Sequence, residues 1–442
     1  MITIIRQTDR AALDDFLKRF EARSVAFDPE LMTVVSSIVE DVRTRGDAAL
    51  IDYTARFDRV ELNELRVDEQ TLNRSADQAD ARVLAALREA IKNVRAFHEN
   101  QVEQSWEVSP VNGVRLGQRI TPLESVGLYV PGGTAAYPSS VVMNVVPAQV
   151  AGVERIVVTT PPRTLAESPA VAAALRELNI AEVYAVGGAH AIAALAFGTE
   201  TIKRVDKITG PGNKYVAAAK KLVFGVAGID SIAGPSEVVI IADDVARADF
   251  IAADLLAQAE HGEDASAVLL TTSEILAQHV ALKVERQLES LPRRAIATAS
   301  LENYGVIVIV NSLDDACAIA NWIAPEHLQL VTNDDDGVAA KIRHAGAIFF
   351  GAHTPEAVGD YVAGPNHVLP TGRTARFSSA LGVYDFVKRT SLLRYSPEAF
   401  AEVSDSIAAL AECEGLDAHA RSALIRSQEG FPQRRKDAKK EP

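Results

Sequence analysis

Apolar positions recur every three or four residues through much of the first hundred. "PELMTVVSSIVEDVRTRGDAALIDYTARF" (29–57) and "DARVLAALREAIKNVRAFHENQ" (80–101) predict amphipathic helices, and residues 1–120 read mostly as helix. Near residue 122 the rhythm changes. "SVGLYVPGG" is an apolar run that ends in glycine, followed by the helical "PSSVVMNVVPAQVAG" and the strand-like "RIVVTT" (155–160). Helix, strand, helix and strand follow in "AVAAALRELN", "EVYAVGG", "AHAIAALAFG" and "RVDKITG" (204–210). After "AGPSE" (233–237) the alternation resumes with "VVIIADD", the helix "ADFIAADLLAQAEHG", "AVLLTT", a long helix, "VIVIV", a helix, "LQLVT" and "AIFFG". Short β-rich runs alternating with helices predict parallel sheets covered on both faces.

The expected fold is therefore α/β, with two doubly wound, Rossmann-like, mostly parallel sheets and a helical C-terminal arm. The division expected along the chain is an N-terminal helical segment (1–24), a larger α/β domain (25–128 with 237–375), a second Rossmann-like domain (129–236) and the arm (376–442). An arm of that size suits packing on the rest of the chain or exchange with another subunit.

Composition narrows the class. With 48% hydrophobic and 24% charged residues and a net charge of -14, the chain reads as an ordinary soluble protein. The acidic balance disfavours nucleic acid or an anionic membrane surface as partner. The one basic run, "RRKDAKK" (434–440), reads as a solvated tail. No charged-then-apolar leader opens the chain, and the most apolar stretch, 141–158, is broken by Asn144, Pro147, Glu154 and Arg155. Cys317 and Cys413 show no pairing pattern, which fits a reducing cytoplasm, and Cys317 sits among apolar helical neighbours as a structural residue.

Chemistry can gather in two places. "YVPGG" (129–133), "VGGAHA" (186–191) and "ITGPGNKYV" (208–216) each end a strand with glycine, so all three turns fall at the carboxyl edge of one sheet, the usual ligand crevice. No G-x-G-x-x-G is present, and each turn alone could be a plain turn. In "ADLLAQAEHG", Asp254, Gln258 and His261 share one helix face, which could be solvated surface or a metal site at a helix end. Asp360 and His367 lie in the Gly- and Pro-rich "VGDYVAGPNHVLPTG", and Glu414 and His419 in "ECEGLDAHA". Gln, His, Asp and His would suit Zn²⁺ or a similar borderline ion. In "NWIAPEHLQL", Glu326 and His327 are adjacent. They are either a polar turn or two proton-transfer groups serving one substrate in succession.

"YVPGGTAAYPSSVVMNVVPAQVAGV", "DKITGPGNKYV", "DSIAGPSEV", "DLLAQAEHG", "APEHLQL", "GDYVAGPNHVLPT" and "EGLDAH" together resemble the histidinol dehydrogenase family, in the family's order from about residue 120 onward. The resemblance implies oxidation of L-histidinol to L-histidine with two NAD⁺, in the last steps of histidine biosynthesis. It also implies one zinc per subunit and a homodimer with exchanged C-terminal segments. The zinc ligands it implies are Gln258, His261, Asp360 and His419. Substrate contacts fall on the same four residues and on Ser236, His327, His367 and Glu414, and NAD contacts on Tyr129, His190 and Asn213. His190 departs from the pattern, standing where the family usually has Gln. The implied acid/base pair is Glu326 and His327, with His327 as base for the alcohol step and Glu326 activating water for the aldehyde step.

Three other readings compete. A zinc hydrolase could use the same polar residues but leaves the Gly-rich strand ends unexplained. A related NAD-dependent dehydrogenase could oxidise another polar alcohol. A non-catalytic binder would have no use for both Glu326 and His327.

Overall fold

The computed structural model describes residues 2–23, 27–132 and 137–428. Two parallel sheets carry the larger part of the chain, and they share one strand order. Across the first run Glu182–Tyr184, Arg155–Thr159, Ser125–Tyr129, Lys207–Thr209 and Gly228–Ile229. Across the second run Thr3–Arg6, Gly305–Ile309, Ser266–Thr271, Glu237–Ala242, His327–Val331 and Ala347–Phe350. Apart from the added edge strand Thr3–Arg6, each sheet is laid down in the same way. Its earliest strand lies at the centre, the next two on one side and the last two on the other, which is the doubly wound arrangement.

Both faces of the central strands are buried, so those strands are mostly apolar. In the second sheet, Val238, Ile240 and Ala242 join Leu255, Val280 and Leu301 on one face. Val239 and Ile241 join Phe16, Phe20 and Ile323 on the other. The two-residue period of a strand sends neighbours to opposite cores.

The N-terminal helices group differently from the sequence-based expectation. Helices Pro29–Arg45 and Asp47–Phe57 pack with Gly188–Phe197 on one face of the first sheet. Glu69–Ala76 and Ala81–Glu99 pack with Pro138–Ala151 and Pro169–Glu177 on the other. The apolar faces of residues 29–99 thus pack on the first sheet, while Asn93 also donates to the Val362 carbonyl at 2.8 Å. The expected helix over 29–57 is two helices because Gly46 adopts φ 56 between them, a left-handed conformation that costs glycine little. The N-terminal segment opens with the strand Thr3–Arg6 before its helix, Arg10–Ala22.

The chain divides into two compact units, Met1–Val102 with Pro122–Phe386, and Glu103–Thr121 with Val387–Pro442. In the second unit, Val387–Tyr395 lies beside Val114–Pro122, which pairs antiparallel with Trp106–Val108. Helices Pro397–Ala401, Ser404–Cys413 and Asp417–Gln428 follow. The arm is therefore helical as expected but opens with a strand, and residues 376–386 belong to the first unit. The basic run 434–440 lies outside the described residues. Among the described residues, no helix is long and apolar enough to cross a membrane.

Candidate active site

The second sheet carries its chemistry at the amino ends of its strands. Glu237 opens one strand, His327 opens the next, and His327 stands opposite Val238 in register. The helix Ala248–Ala259 connects two parallel strands, so it returns to the same edge and delivers Gln258 and His261 at its C-terminal end. The short helix Glu356–Tyr361 adds Glu356 and Asp360, one turn apart.

Glu326 and His327 line the same cavity, of about 650 Å³, although they are adjacent in the chain. The strand's alternation begins only at His327. Glu326 lies in the preceding loop, just after Ala324 ends a helix at φ 51, so it escapes the two-residue period. Its Oε2 lies 3.7 Å from His327 Nδ1 and accepts the Glu237 backbone N–H at 3.0 Å.

His327 is held in one tautomer. Its Nδ1 lies 3.1 Å from the Glu237 carbonyl oxygen, which can only accept, so Nδ1 carries the proton and Nε2 the lone pair. Nε2 is buried without a hydrogen-bond partner among the described residues, 3.9 Å from Asp360 Oδ1. Burial pushes the imidazole down to about 3, which keeps it neutral.

Burial raises the surrounding carboxyl groups. Glu326 is held well above the usual carboxylate range by burial, with Glu237 and Asp360 adding repulsion. Glu356 rises in the same way, with Asp360, Glu326 and Asp254 beside it. Burial brings Asp360 and Asp254 each up to about 6. Glu237 faces Arg23, whose Nη2 lies 2.6 Å from its Oε1.

This donor set fits a divalent cation. His261, Glu356 and Asp360 each offer a ligand atom, all within 4.8 Å of one another. Gln258 is fully buried, Asp254 is half-buried and His261 is exposed, so the polar stripe of the helix runs from the interior out to the cavity. With its amide nitrogen turned toward them, Gln258 donates to Glu356 Oε2 at 3.1 Å and the Glu237 carbonyl at 3.2 Å, and that nitrogen lies 3.3 Å from His327 Nδ1. The first two are the acceptors that bond satisfies. Imidazole, carboxylate and amide oxygen suit zinc, and a cation among these carboxyl groups offsets their mutual repulsion.

The opposite wall belongs to the carboxyl edge of the first sheet, with Pro131, Gly132 and Pro211 to Lys214. Two of the Gly-rich strand ends thus face Glu326 and His327 across the cavity. Asn213 lines the wall, and its side-chain oxygen caps the following helix by accepting from Tyr215 N–H at 3.0 Å. Tyr129 and His190 are buried off that wall. The Tyr129 hydroxyl accepts the Gly188 N–H at 3.1 Å, and His190 lies against Tyr53 and Phe57. Gly133, the last residue of "YVPGG", lies outside the described residues.

Ser236, His261, Glu326, His327, Asp360 and His367 share this cavity. His367 Nε2 lies 3.1 Å from Ser139 Oγ. Glu414 and His419 belong to the second unit and are exposed there. Sequence reasoning missed Glu356, Glu237 and Arg23. Glu356 was signalled by its four-residue spacing from Asp360, and Glu237 by an acid at the head of an apolar run.

A family model described as histidinol dehydrogenase matches residues 21–427. The chain belongs to the histidinol dehydrogenase family. The histidinol dehydrogenase of Geobacillus kaustophilus is 56% identical over 402 residues, covering 91% of this chain and 95% of that protein. That of Bradyrhizobium diazoefficiens is 52% identical over 425 residues, covering 95% and 98%. The crystal structure of histidinol dehydrogenase from Elizabethkingia anophelis superposes with a TM-score of 0.90 at 36% identity, covering 96% of this chain and 98% of that one. Histidinol dehydrogenase membership makes the chain an oxidoreductase of histidine biosynthesis that acts on L-histidinol.

Proposed function

We propose that the chain oxidises L-histidinol to L-histidine by way of L-histidinal, reducing two NAD⁺ per turnover, with one zinc ion per subunit, as a cytoplasmic homodimer. The observation that carries this reading is a buried, neutral His327 with a free Nε2, set beside Glu326 and facing Gly-rich strand ends across one cavity. When bound, zinc would supply a Lewis-acid anchor for the polar groups of the substrate, and NAD⁺ would supply the hydride acceptor.

The residues divide the remaining work. Gln258, His261 and Asp360 hold the ion, and His419 completes the set. His419 and Glu414 lie in the C-terminal unit, and exchange of that unit between subunits supplies them from a partner. Ser236, His367 and Glu414 fix the substrate. The 129–236 half, with Asn213, Tyr129 and His190, carries the dinucleotide. His327 takes the alcohol proton at Nε2. Glu326 then draws a proton from water as that water adds to the aldehyde carbon. Positioning both groups on one bound substrate converts two bimolecular proton transfers into local ones.

The test is NADH formation from L-histidinol, with and without a metal chelator and with zinc restored. Two NADH per histidinol consumed, lost on chelation and regained with zinc, are expected. No NADH at micromolar enzyme with added zinc sinks the reading.

A further inference from the structure

Glu356 has no part in the two proton transfers, yet it lies at the centre of the residues that make them possible. Only 4% of it is exposed. Its Oε1 lies 3.8 Å from His261 Nε2 and 3.8 Å from His327 Nδ1, and its Oε2 lies 3.1 Å from the Gln258 amide nitrogen. No arginine or lysine is paired with it among the described residues, so its burial is not explained by an ion pair.

Gln258 supplies the second observation. It is 0% exposed, and an amide has two chemically different ends on a nearly symmetrical shape. One end faces two acceptors, Glu356 Oε2 at 3.1 Å and the Glu237 carbonyl at 3.2 Å, and one donor, the His327 Nδ1–H at 3.3 Å, which already donates to that carbonyl. The two acceptors draw the amide nitrogen to that end, which leaves the carbonyl oxygen on the other. The oxygen is the only atom of an amide that ligates zinc usefully. Without an acceptor at position 356, the side chain would lose its main reason to keep the nitrogen on that side.

We infer that Glu356 is a positioning residue for the metal centre: its Oε2 accepts from the Gln258 amide and so keeps the Gln258 oxygen presented as a ligand. The inference rests on the zinc reading above. Outer carboxylates of this kind affect metal affinity by about 10–100-fold.

The experiment compares the full-length wild-type enzyme with Glu356→Gln and Glu356→Asp. It reads the rate of zinc transfer to a chromogenic chelator and the visible absorption of the cobalt-substituted protein. Gln keeps an acceptor oxygen at the same reach, and Asp keeps the charge but withdraws the oxygen. Glu356→Gln is expected to release zinc within about threefold of wild type with an unchanged cobalt spectrum. Glu356→Asp is expected to release it at least tenfold faster. Equal loss in both variants, with an altered spectrum in Glu356→Gln, would make Glu356 a ligand itself and overturn the inference. So would unchanged zinc release in both. Wild-type enzyme that binds no zinc would instead remove the metal reading, before either variant is compared.

Discussion

The Nδ1 of His327 and the main-chain carbonyl of Glu237 lie 3.1 Å apart, and that bond decides which face of the imidazole can accept a proton. Glu237 is fixed in turn by strand pairing and by its buried ion pair with Arg23, so the ring has little freedom to turn over. His327→Ala removes the lone pair at Nε2 and should slow L-histidinol oxidation by about 10²–10⁴-fold, the usual contribution of a general base. Oxidation of L-histidinal supplied directly should fall less. Steady-state rates on the two substrates check this, and equal losses on both would count against a separate role in the alcohol step.

Glu326 makes the opposite prediction, and its sign follows from burial. Its carboxyl is held well above the usual range, and a carboxyl group can activate water only when ionised. Aldehyde oxidation should therefore rise with pH through that raised value, tenfold per unit on the acid side, and level off above it. Glu326→Gln cannot ionise. It should lose the rising limb and run about 10²–10⁴-fold below the wild-type plateau on L-histidinal. A Glu326→Gln variant that keeps the wild-type pH profile would assign the limb to another group.

Most of the fold was legible because both sheets are buried on both faces and announce themselves as continuous apolar runs between amphipathic helices. The strands of the second unit were not. Trp106, Val108 and Leu393 are exposed, so their alternation has no buried face to mark it. Which sheet the helices of 29–99 cover was not legible, because an amphipathic helix declares that it covers something without declaring what. In the site, Asp254, Gln258 and His261 were legible as one stripe, but a stripe cannot distinguish water from a buried ion. Full burial of Gln258 shows that this position is not solvated, and that burial comes from the strands and from the helix Glu356–Tyr361, a hundred residues downstream. Nothing in local spacing could place Glu326 and His327 on one side either. That depends on the strand starting one residue later.

The turn opposite Glu326 and His327 is held by a second buried pair. Lys220 donates to the Gly210 carbonyl at 2.9 Å and is ion-paired with Asp230, which accepts the Gly210 N–H at 2.8 Å. Gly210 itself has φ 114, and a Cβ there would lie 2.1 Å from the Tyr129 carbonyl oxygen, so no other residue fits. Lys220→Met leaves Asp230 buried and uncompensated and should cost about 3–5 kcal/mol in denaturant unfolding. Adding Asp230→Asn should recover part of that stability. Because Asn213 lies three residues beyond Gly210, the double variant should raise KM for NAD⁺ more than KM for L-histidinol. Equal changes in the two constants would show that the clamp does not serve the dinucleotide.

His190 makes stability depend on pH in a direction that can be worked out. It is 2% exposed, neither ring nitrogen has a partner among the described residues, and burial pushes its pKa down to about 4. In the unfolded chain the same imidazole titrates near its ordinary value of about 6.5. Between those values the unfolded state binds the proton and the folded state does not, so stability is fully present above about pH 6.5 and is lost as the pH falls toward 4. At about 1.36 kcal/mol per unit, lowering the pH from about 7 to about 5 should cost about 2 kcal/mol through this residue alone. His190→Gln keeps a polar side chain that cannot take up a proton. The other buried histidines, His98, His327 and His367, are unchanged between the two proteins and cancel in the comparison. Denaturant unfolding at the two pH values should show the variant losing about 2 kcal/mol less than wild type. A variant that loses as much as wild type would mean that His190 stays unprotonated in both states or gains a proton in both.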